Sequence, residues 1–564
     1  MSKDNYLFLF SISPVQSFIS QARKTKDLYA GSFLLSEFTR RQIKKFLELE
    51  KNTKIIFPND TTSESLPNRF VAKVTTESDD TIQKLGKNLQ KNFQKILDEE
   101  FDKLPAKIRQ STNRGIYLNQ ILNTFETYWA AVKLEDNYKD AYLRLEKIHV
   151  ATKNIKRFKQ TNEKGRKCSL CGERNAYFYG DYKLPAFIDK KFAKKISDSS
   201  SQFTKNEALC TVCAIKRFRK VSFPSIAEIA LKGTLSEKNI QKMPYDAELF
   251  YDENLTEKYL EKNNIPKGKL SPKEKLSEIK ETRDNILKCA NLKPSDLPKY
   301  YALIMFDGDN MGKLLAGKYL RDKTQLEDFH KELSKALSEN AKQAKTLVDK
   351  YGKTVYAGGD DFLGFVPIKN LMKTLKELRN EFKNSVNNKL TKMVNQEITM
   401  SAGITIAHYK IPLKTVLDWA RAMEKEAKDS GRDAFAIAVL KHSGEIHKTI
   451  WKWFDEGKSN IERIDKILEK LTQNKFSTNF IHTLEEEFSS LNYEDNPYYS
   501  QQFETELKRL IAKSLITETQ KEEERKDLHN LCYNFYIQAD NQIHNYFSLM
   551  KIIDFIARHL GEQK

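Results

Sequence analysis

The chain has 564 residues, enough for three or four domains, and its 39% hydrophobic and 11% aromatic content excludes a disordered protein. Lys and Arg number 96 against 77 Asp and Glu, and the net charge of +19 favours a polyanionic partner such as RNA or DNA over a solvated Lys-rich surface. Since no apolar run approaches the roughly 20 residues of a membrane span, and Tyr6–Phe10 is too short for a signal-peptide core, we expect a soluble cytoplasmic protein without membrane contact.

Residues 1–159 predict an α/β domain. Strand-like runs and helical segments alternate in its first half, at Tyr6–Ser11, 18–48, Lys54–Phe57 and Phe70–Val74. Apolar residues three and four apart over 79–158 predict helices only. We therefore expect a sheet with a helical insertion.

Four of the six cysteines form two pairs, Cys168/Cys171 and Cys210/Cys213, within a region that we expect to extend over residues 160–295. Paired Cys-x-x-Cys elements in a cytosolic chain indicate tetrahedral zinc more often than disulfides, with redox-active or unrelated pairs as alternatives. Four thiolate ligands leave no open coordination position, so such a zinc would be structural. We expect Cys289 and Cys532, which have no close partner, in the core.

A basic run, Lys216–Lys220, lies just after the second cysteine pair. Lys216, Arg217 and Arg219 are candidate RNA contacts, but a solvated surface is the simpler interpretation for any one of them.

Residues 296–446 give the clearest pattern. Strands and helices are expected, in order, at Tyr300–Phe306, 326–351, Thr354–Ala357, Phe362–Val366, 371–390, Ile398–Ala407, 413–430 and Ala434–Leu440. The order β-α-β-β-α-β with a further α-β unit predicts a ferredoxin-like palm. The pattern from residue 447 to residue 564 is helical throughout and predicts a small helical domain.

Three aspartates are expected to meet in this palm. Asp307 ends its first strand, and Asp360 and Asp361 leave the hairpin beside it, because strands one and three are neighbours in this topology. Carboxylates this close repel each other unless cations neutralise them, and Mg²⁺ prefers oxygen ligands. A metal pair about 4 Å apart activates an attacking 3′-hydroxyl and stabilises the departing pyrophosphate. The pattern predicts nucleotidyl transfer, with an ordinary polar hairpin as the alternative.

Further residues near these acids have candidate roles. Gly358 and Gly359 would let the backbone approach phosphates, because they lack Cβ atoms. Asp309 is either a metal ligand or, as we favour, the cap of a helix that begins near Met311. Lys428 could meet a triphosphate, although such lysines are more often solvated.

The motifs together resemble the large polymerase/cyclase subunit of type III-B (Cmr) CRISPR interference complexes. Four groups of residues carry the resemblance: Phe10–Ile19 with Ala22, Arg23 and Asp27–Ser32; Leu66–Phe70; the two cysteine pairs; and Phe306–Gly312 with Gly358–Asp361. They span residues 6 to about 440 in the family's order, whereas the C-terminal helices match in character only.

The resemblance implies two ferredoxin-like palm domains facing each other, with a zinc-binding helical domain between them in sequence and a helical domain after them. Only the second palm would carry the Mg²⁺ or Mn²⁺ site, with Asp307, Asp360 and Asp361 as ligands. The first palm would supply a nucleotide pocket, with Ser17 and Ser32 as candidate contacts.

Family members work in ribonucleoproteins with guide RNA, target RNA and other Cmr subunits, above all the small subunit. When target RNA pairs with the guide, they convert ATP to cyclic oligoadenylate messengers in antiviral defence. The resemblance therefore implies an RNA-activated nucleotidyltransferase.

One departure concerns the nuclease domain with a His-Asp motif that begins many relatives. The first histidine here is His149, and no His-Asp dipeptide occurs in the chain. We expect the associated single-stranded DNase activity to be absent, unless the sequence is a truncated piece.

Three other interpretations stay open. The same chemistry could join AMP to another adenosine-containing acceptor such as S-adenosylmethionine, or the chain could be a catalytically silent scaffold. A free-standing GGDEF-type dinucleotide cyclase is disfavoured by Asp361, where that motif usually has Glu, and by the cysteine pairs.

Overall fold

A computed structural model of the chain describes residues 4–110, 112–135, 137–155, 165–179, 194–195, 204, 207–263, 265, 270–473, 475–488, 498–516, 521–540 and 542–561. None of the helices in these ranges is long and apolar enough to cross a membrane. The predicted limit at 159/160 lies outside the described residues. The limits near residues 295 and 446 stay predictions.

The N-terminal sheet has four antiparallel strands in the order β2-β3-β1-β4. Its elements are β1 (Asp4–Ser13), α1 (Gln16–Ser20), α2 (Thr25–Leu49), β2 (Thr53–Phe57), β3 (Arg69–Thr76), α3 (Asp79–Asp102), α4 (Ala106–Gln110), α5 (Arg114–Leu122), β4 (Glu126–Lys133) and α6 (Tyr138–Asn154). Alternate residues of β1 point to opposite faces: Phe8 and Phe10 pack towards α2 and α3, and Leu7 and Leu9 towards α6. Order and connections are those of a ferredoxin-like fold.

The prediction of helices throughout 79–158 is wrong for Glu126–Lys133, which forms β4 at the edge of this sheet. The segment contains Trp129 and Val132, residue types that fit a pleated surface, and the Trp129 ring stacks on Phe8 across the ladder. A strand of eight residues between helices shows too few alternations of apolar and polar residues to be recognised from the sequence. This strand completes the first palm.

In its described residues, the middle region combines a small three-stranded sheet with four short α-helices and one α-helix of 18 residues. It contains β5 (Phe178–Tyr179), β6 (Lys194–Lys195), β7 (Ala208–Leu209), α7 (Thr211–Phe218), α8 (Ile226–Leu231), α9 (Glu237–Ile240), α10 (Glu257–Lys262) and α11 (Pro272–Cys289). Cys289 is exposed, against our expectation, because it ends α11 at the surface, whereas Cys532 is buried as expected.

The second sheet has six strands in the order β13-β12-β11-β8-β10-β9. Its elements are β8 (Tyr300–Gly308), α12 (Met311–Leu315), α13 (Leu326–Tyr351), β9 (Lys353–Gly358), β10 (Asp361–Pro367), α14 (Leu371–Phe382), α15 (Asn388–Leu390), β11 (Met400–His408), α16 (Leu413–Asp429), β12 (Ala434–Leu440) and β13 (Ile446–Lys452). The four strands β9-β10-β8-β11 repeat the order of the first sheet, and β12 joins β11 in parallel through α16. The predicted palm topology is confirmed.

The C-terminal region packs on this second sheet. It consists of β14 (Phe454–Asp455), β15 (Lys458–Ser459), α17 (Asn460–Thr472), α18 (Asn479–Phe488), α19 (Tyr499–Ser514), α20 (Lys521–Ala539) and α21 (Ile543–Gly561). Ile304 and Phe306 of β8 share one apolar core with helices α13, α14, α17 and α21. The prediction of helices alone from residue 447 is wrong at its start, because β13 pairs with β12 and a small hairpin follows.

Candidate active site

The two acid-bearing segments meet at one end of the second sheet. Strands β8 and β10 are antiparallel with Phe306 opposite Phe362, and the Gly308 N–H donates to the Asp360 carbonyl over 3.1 Å. The same register puts Asp307 opposite Asp361, and residues opposite each other in such a ladder have Cα atoms about 4.5–5.5 Å apart. The expected convergence of Asp307, Asp360 and Asp361 is present in the fold.

Asp307, Asp360 and Asp361 define an acidic corner at this end of the sheet, and a tight turn brings Asp360 and Asp361 to it. Gly359 has φ +70°, a conformation that side chains disfavour and that suits the two-residue connection between β9 and β10. A Cβ on Gly358 would lie 2.6 Å from the Tyr356 hydroxyl, which donates to the Gly358 carbonyl. The turn itself thus requires glycine at position 359, and the Tyr356 side chain leaves little room for a Cβ at position 358.

Two of these carboxyl groups, those of Asp360 and Asp361, have a raised pKa. Burial, and then the charge of Asp307, raises the pKa of Asp360 to about 7. Burial, followed by the charges of Asp307 and Asp360, also raises the pKa of Asp361 well above its ordinary value. Burial and neighbouring negative charge both disfavour the ionised carboxylates here, and a bound divalent cation would relieve both effects.

Lys428 supplies part of the missing positive charge. Its Nζ donates to Asp307 and, over 2.6 Å, to Glu424 one helical turn earlier on α16. Burial alone would lower the pKa of Lys428, but the charges of Asp307 and Glu424 outweigh it and raise the pKa. The lysine therefore lies at the acidic corner, paired with carboxylates rather than free in solvent, and any phosphate contact stays a prediction.

Asp309 has a different role from the helix cap that we favoured. Residue Asn310 precedes α12 as its cap, and no side chain bonds there. The Asp309 carboxylate is buried and accepts hydrogen bonds from the hydroxyls of Thr399 and Ser401, both at 2.7 Å, and from the Asp433 N–H at 3.0 Å. Asp309 therefore fastens the end of β8 to β11 and to the turn before β12.

A cavity of about 340 Å³ lies between the acidic corner and the first sheet. The second palm contributes Gly358, Gly359, Asp360 and Asp361, and the facing wall comes from the end of β2 and the start of β3. The volume is within the range of about 300–1,000 Å³ that small-molecule sites occupy. The position between two palm sheets makes this the candidate substrate cavity.

Sequence reasoning missed two side chains of this cavity, Arg69 and His330. Arg69 bonds Glu146 at 3.2 Å, and the negative charge of Asp360 is among the groups that raise its pKa. His330 lies against Leu315, whose carbonyl is 2.8 Å from Nε2, while its Nδ1 is 3.0 Å from the Tyr138 hydroxyl. Arg69 belongs to the Leu66–Phe70 motif, which carried the family resemblance without an assigned role.

The two serines predicted for the first palm lie outside this cavity. Ser17 is exposed on α1, so its role stays a prediction. Ser32 is only 2% exposed, inside α2, beside Gly31, where a Cβ would meet Ile19 and Lys216 at 3.3 Å. Close packing of α1 and α7 on α2 covers that part of the helix, so Ser32 is not accessible to a nucleotide in this structure, and its role stays a prediction.

The four paired cysteines form a closed ligand set. Among the described residues, they alone bring three or more ligand atoms of His, Cys, Asp or Glu within 4.8 Å of one another. Cys171 and Cys210 Sγ atoms are 3.8 Å apart, which matches the spacing of about 3.8 Å that tetrahedral geometry with Zn–S bonds of about 2.3 Å requires. Gly172, with φ +67°, lets its N–H return to the Cys168 carbonyl in the first knuckle.

The basic run after these cysteines does not form an exposed basic surface. Lys216 and Arg217 are buried, and Arg217 binds Asp27 of α2 at 2.7 and 2.8 Å and Glu207 at 2.7 and 2.9 Å. Lys216 Nζ donates to the Phe18 and Gln21 carbonyls at the end of α1. Both interpretations of these two residues, RNA contact and solvated surface, are wrong, because the side chains fasten α7 to the first palm.

Arg219 follows the same pattern less completely. It pairs with Glu37 and, at 2.9 Å, with Glu100, and its side chain is 15% exposed. RNA contact by Arg219 is therefore also disfavoured, since two carboxylates already hold it.

Two ferredoxin-like sheets, one with an acidic corner, define a protein with the palm architecture of nucleotide cyclases and polymerases. Residues 300–436 match the family model of the Cas10/Cmr2 second palm domain, and residues 7–104 match that of the N-terminal region of the CRISPR-associated protein Cmr2. These two matches confirm the resemblance to the large subunit of type III-B complexes.

Individual relatives agree with this assignment. The chain is 25% identical, over 80% of its length, to the "CRISPR system Cmr subunit Cmr2" of Pyrococcus furiosus, and it spans 63% of that relative's length. Two cryo-EM structures of type III-B Cmr-beta share the fold at 16% identity. The apo state gives a TM-score of 0.62 over 93% of this chain and 78% of the other, and the complex with cognate target RNA gives 0.60 over 92% and 79%.

Proposed function

We propose that this chain is the nucleotidyltransferase subunit of a type III-B effector complex and converts ATP to cyclic oligoadenylate when target RNA is bound. The observation that carries the proposal is that Asp360 and Asp361 line a cavity between two palms, with Asp307 beside them on the neighbouring strand. The second-palm family match over residues 300–436 supports the same assignment.

The residues around the cavity have complementary tasks in this proposal. Asp307, Asp360 and Asp361 offer carboxylate oxygens, the ligand type that Mg²⁺ and Mn²⁺ prefer. Bound there, a pair of such ions would activate the 3′-hydroxyl and stabilise charge at the α-phosphate. Arg69 presents a guanidinium from the opposite wall, suited to a phosphate. Gly358 and Gly359 leave the turn without side chains where the substrate would approach.

The four cysteines would hold structural zinc in this protein. Their spacing fits the tetrahedral ion, and α7, which carries Cys213, is fastened to α1 and α2 by Lys216 and Arg217. Zinc would therefore stabilise the first palm as well as its own module.

The partners follow from the relatives. The P. furiosus relative is named a subunit of a CRISPR system, and one similar structure contains cognate target RNA. We propose that this chain likewise assembles in a cytoplasmic ribonucleoprotein with guide RNA, target RNA and other Cmr-type subunits, including the small one. Its net charge of +19 suits such an assembly.

The test incubates the assembled complex with labelled ATP, Mg²⁺ or Mn²⁺ and target RNA, and identifies products by mass spectrometry. We expect cyclic oligoadenylates that require target RNA and disappear in Asp360→Asn/Asp361→Asn, whose amides keep the shape but lose the negative charge. The matched control is Asp429→Asn, an exposed residue at the end of α16, which should leave the products unchanged.

Each other outcome would replace the proposal by a specific alternative. A conjugate that forms only with S-adenosylmethionine would indicate a different acceptor. Product from the isolated chain without RNA would indicate a free-standing cyclase. No product under any condition, with an intact complex, would indicate a scaffold subunit.

A further inference from the structure

A second cavity, of about 590 Å³, lies where the second palm meets the C-terminal region. Its walls are α14 of the palm, the β14–β15 hairpin and helices α17 and α20 of the C-terminal region. None of the residues that line it lines the cavity at the acidic corner. The size is that of a small-molecule site, within about 300–1,000 Å³.

The lining has the chemistry of a nucleotide site. Lys458 and Lys466 are exposed at its edge, and in the described part of the chain neither makes an ion pair. Phe454 is half-buried and offers an aromatic ring on which a base can stack. Three asparagine amides, which donate and accept hydrogen bonds, also line it: Asn380, Asn530 and Asn534. The lining further includes two carboxylates, Glu462 and Asp527, each of which is paired with a lysine.

Arg379 is the strongest indication of a ligand. Its side chain lies in the wall of the cavity, the residue is 6% exposed, and only Nη2 has a partner, Asp433 at 2.8 Å. Its buried Nε and Nη1 groups have no hydrogen-bond partner in the described part of the chain, and the Phe454 ring centroid is 5.5 Å from the guanidinium. Buried N–H groups almost always have partners, so an arginine with two free ones indicates an acceptor that binds here.

The arginine is also connected to the acidic corner. The Asp433 carboxylate holds Arg379, while the Asp433 N–H donates to Asp309 at 3.0 Å. Gly431, Arg432 and Asp433 all have positive φ, at 95°, 62° and 46°, so two side-chain-bearing residues are held in a disfavoured conformation. This turn follows the helix that carries Lys428, so Asp433 links Arg379 to Asp309 by hydrogen bonds and lies five residues after Lys428 in the chain.

We propose that the cavity between α14, the β14–β15 hairpin and α20 is a second nucleotide site, which takes a nucleoside phosphate. The phosphate accepts from Nε and Nη1 of Arg379 when the Phe454 ring turns aside to stack on the base, and Lys458 and Lys466 balance its charge. Because the ligand competes with Asp433 for the guanidinium, it acts on the turn that positions Asp309. The binding step does not depend on the activity proposed above.

The test measures ATP binding to the full chain by isothermal titration calorimetry in EDTA. The background is Asp360→Ala/Asp361→Ala, so that binding at the acidic corner is minimised. Lys458→Glu/Lys466→Glu should weaken ATP binding about tenfold, equivalent to about 1.4 kcal/mol. The matched control is Lys280→Glu/Lys288→Glu, two exposed lysines of α11 outside both cavities, which should bind as the background does.

Photolabelling gives an independent readout. An 8-azido analogue of ATP should label the peptide that contains Phe454, and Lys458→Glu/Lys466→Glu should remove that label, with melting curves showing equal folding of both double variants. Equal ATP affinity of the two double variants, or labelling confined to the acidic corner, would overturn the proposal. Loss of single-stranded RNA binding with unchanged ATP binding would also overturn it, by showing that RNA occupies the cavity.

Discussion

The two palm sheets share one topology and differ in charge at the same corner. In the second sheet, Asp307 stands opposite Asp361 where β8 and β10 end their pairing. In the first sheet, the last pair of β1 and β3 is Ser11 opposite Arg69, and the Ser11 hydroxyl is 2.8 Å from His149 Nε2. One fold thus presents carboxylates at one corner and a guanidinium at the other.

The difference extends to the connection after the second strand. A two-residue turn with Gly359 joins β9 to β10, whereas eleven residues, 58–68, join β2 to β3 in the first sheet. The longer connection reaches the second palm: the Asn59 N–H donates to Ser334 at 2.7 Å, and Asp60 pairs with Lys342 at 2.7 Å. Where the second palm has a short acidic turn, the first palm has a longer loop, and the end of this loop faces Asp360 and Asp361. The two palms therefore contribute different walls to one cavity.

The largest effect should come from removing the acidic corner's central charge. Asp307→Asn should lower the rate of nucleotide product formation about a thousandfold, about 4 kcal/mol, because metal-assisted charge stabilisation contributes several kcal/mol. Mass spectrometry of products from the assembled complex measures it. Lys428 would lose its ionic partner, so a melting curve must accompany the assay.

The matched control for Asp307→Asn lies in the equivalent corner of the first sheet. Ser11→Ala removes a strand-end side chain from the corresponding position, and we expect less than about a tenfold change in rate, since no acid acts there. Equal losses of activity in both variants would show that the loss comes from disturbed strand packing and not from the missing charge.

The second effect concerns how the first palm is supported. Arg217→Met should destabilise the chain by about 3–5 kcal/mol, because it leaves the buried carboxylates of Asp27 and Glu207 without a cation. Urea unfolding followed by tryptophan fluorescence measures the change. The control is Arg41→Met, another arginine bound to a carboxylate, whose side chain is 30% exposed, and it should cost less than about 1 kcal/mol. Equal effects would show that the α7–α2 contact does not depend on the buried pair.

The strands and helices of the second palm could be predicted from the sequence, but those of the first palm only in part. Long, strongly apolar strands such as β8 and a stripe of apolar residues along α13 indicate their structure locally. The acids of the corner could be placed together because the topology brings strands one and three side by side. Strand β4 was missed because its eight residues lie between helices and pair with β1, more than a hundred residues away in sequence.

The burial of charged residues could not be predicted for a related reason. Lys216 and Arg217 look like a basic surface when only their neighbours in sequence are considered, because their partners Phe18, Gln21 and Asp27 lie about 190–200 residues earlier. Asp309 likewise finds Thr399, Ser401 and Asp433 far along the chain. The local sequence pattern predicts helices and strands. Whether a polar side chain is buried, and which partner it binds, depends on contacts between distant residues that only the fold brings together.

The third prediction tests the positive charge of Arg69, which lies across the cavity from the acidic corner. Arg69→Gln should raise the KM for ATP about tenfold, about 1.4 kcal/mol, with a smaller change in kcat, because a positioned guanidinium contributes to phosphate binding. Steady-state product formation at varied ATP gives both constants. The control Arg144→Gln changes an exposed arginine of α6 whose contact with Glu135 is 4.0 Å long, and it should leave the KM unchanged. An unchanged KM in Arg69→Gln would restrict Arg69 to its structural pair with Glu146.

The smallest predicted effect is a pH-dependent stabilisation by Mg²⁺. The pKa of Asp360 is raised from 3.8 to about 7, chiefly by burial and the charge of Asp307, so the folded chain keeps a proton there that the unfolded chain loses near pH 3.8. This contribution to stability is therefore present below pH 3.8 and is lost as the pH rises through 7. Mg²⁺ binds the deprotonated carboxylate and should restore about 1.4 kcal/mol at pH 8, at a concentration about ten times its Kd.

At pH 5.5 the proton competes with the ion, so the melting temperature should respond less to Mg²⁺ than at pH 8. Differential scanning fluorimetry at both pH values, with Asp360→Ala as control, measures the difference. In that variant the pH dependence of the Mg²⁺ effect should shrink, because the titrating carboxyl is gone. A Mg²⁺ shift of equal size at both pH values, or one unchanged in Asp360→Ala, would place the ion elsewhere. The acidic corner would then differ from the basic one in charge but not in metal binding.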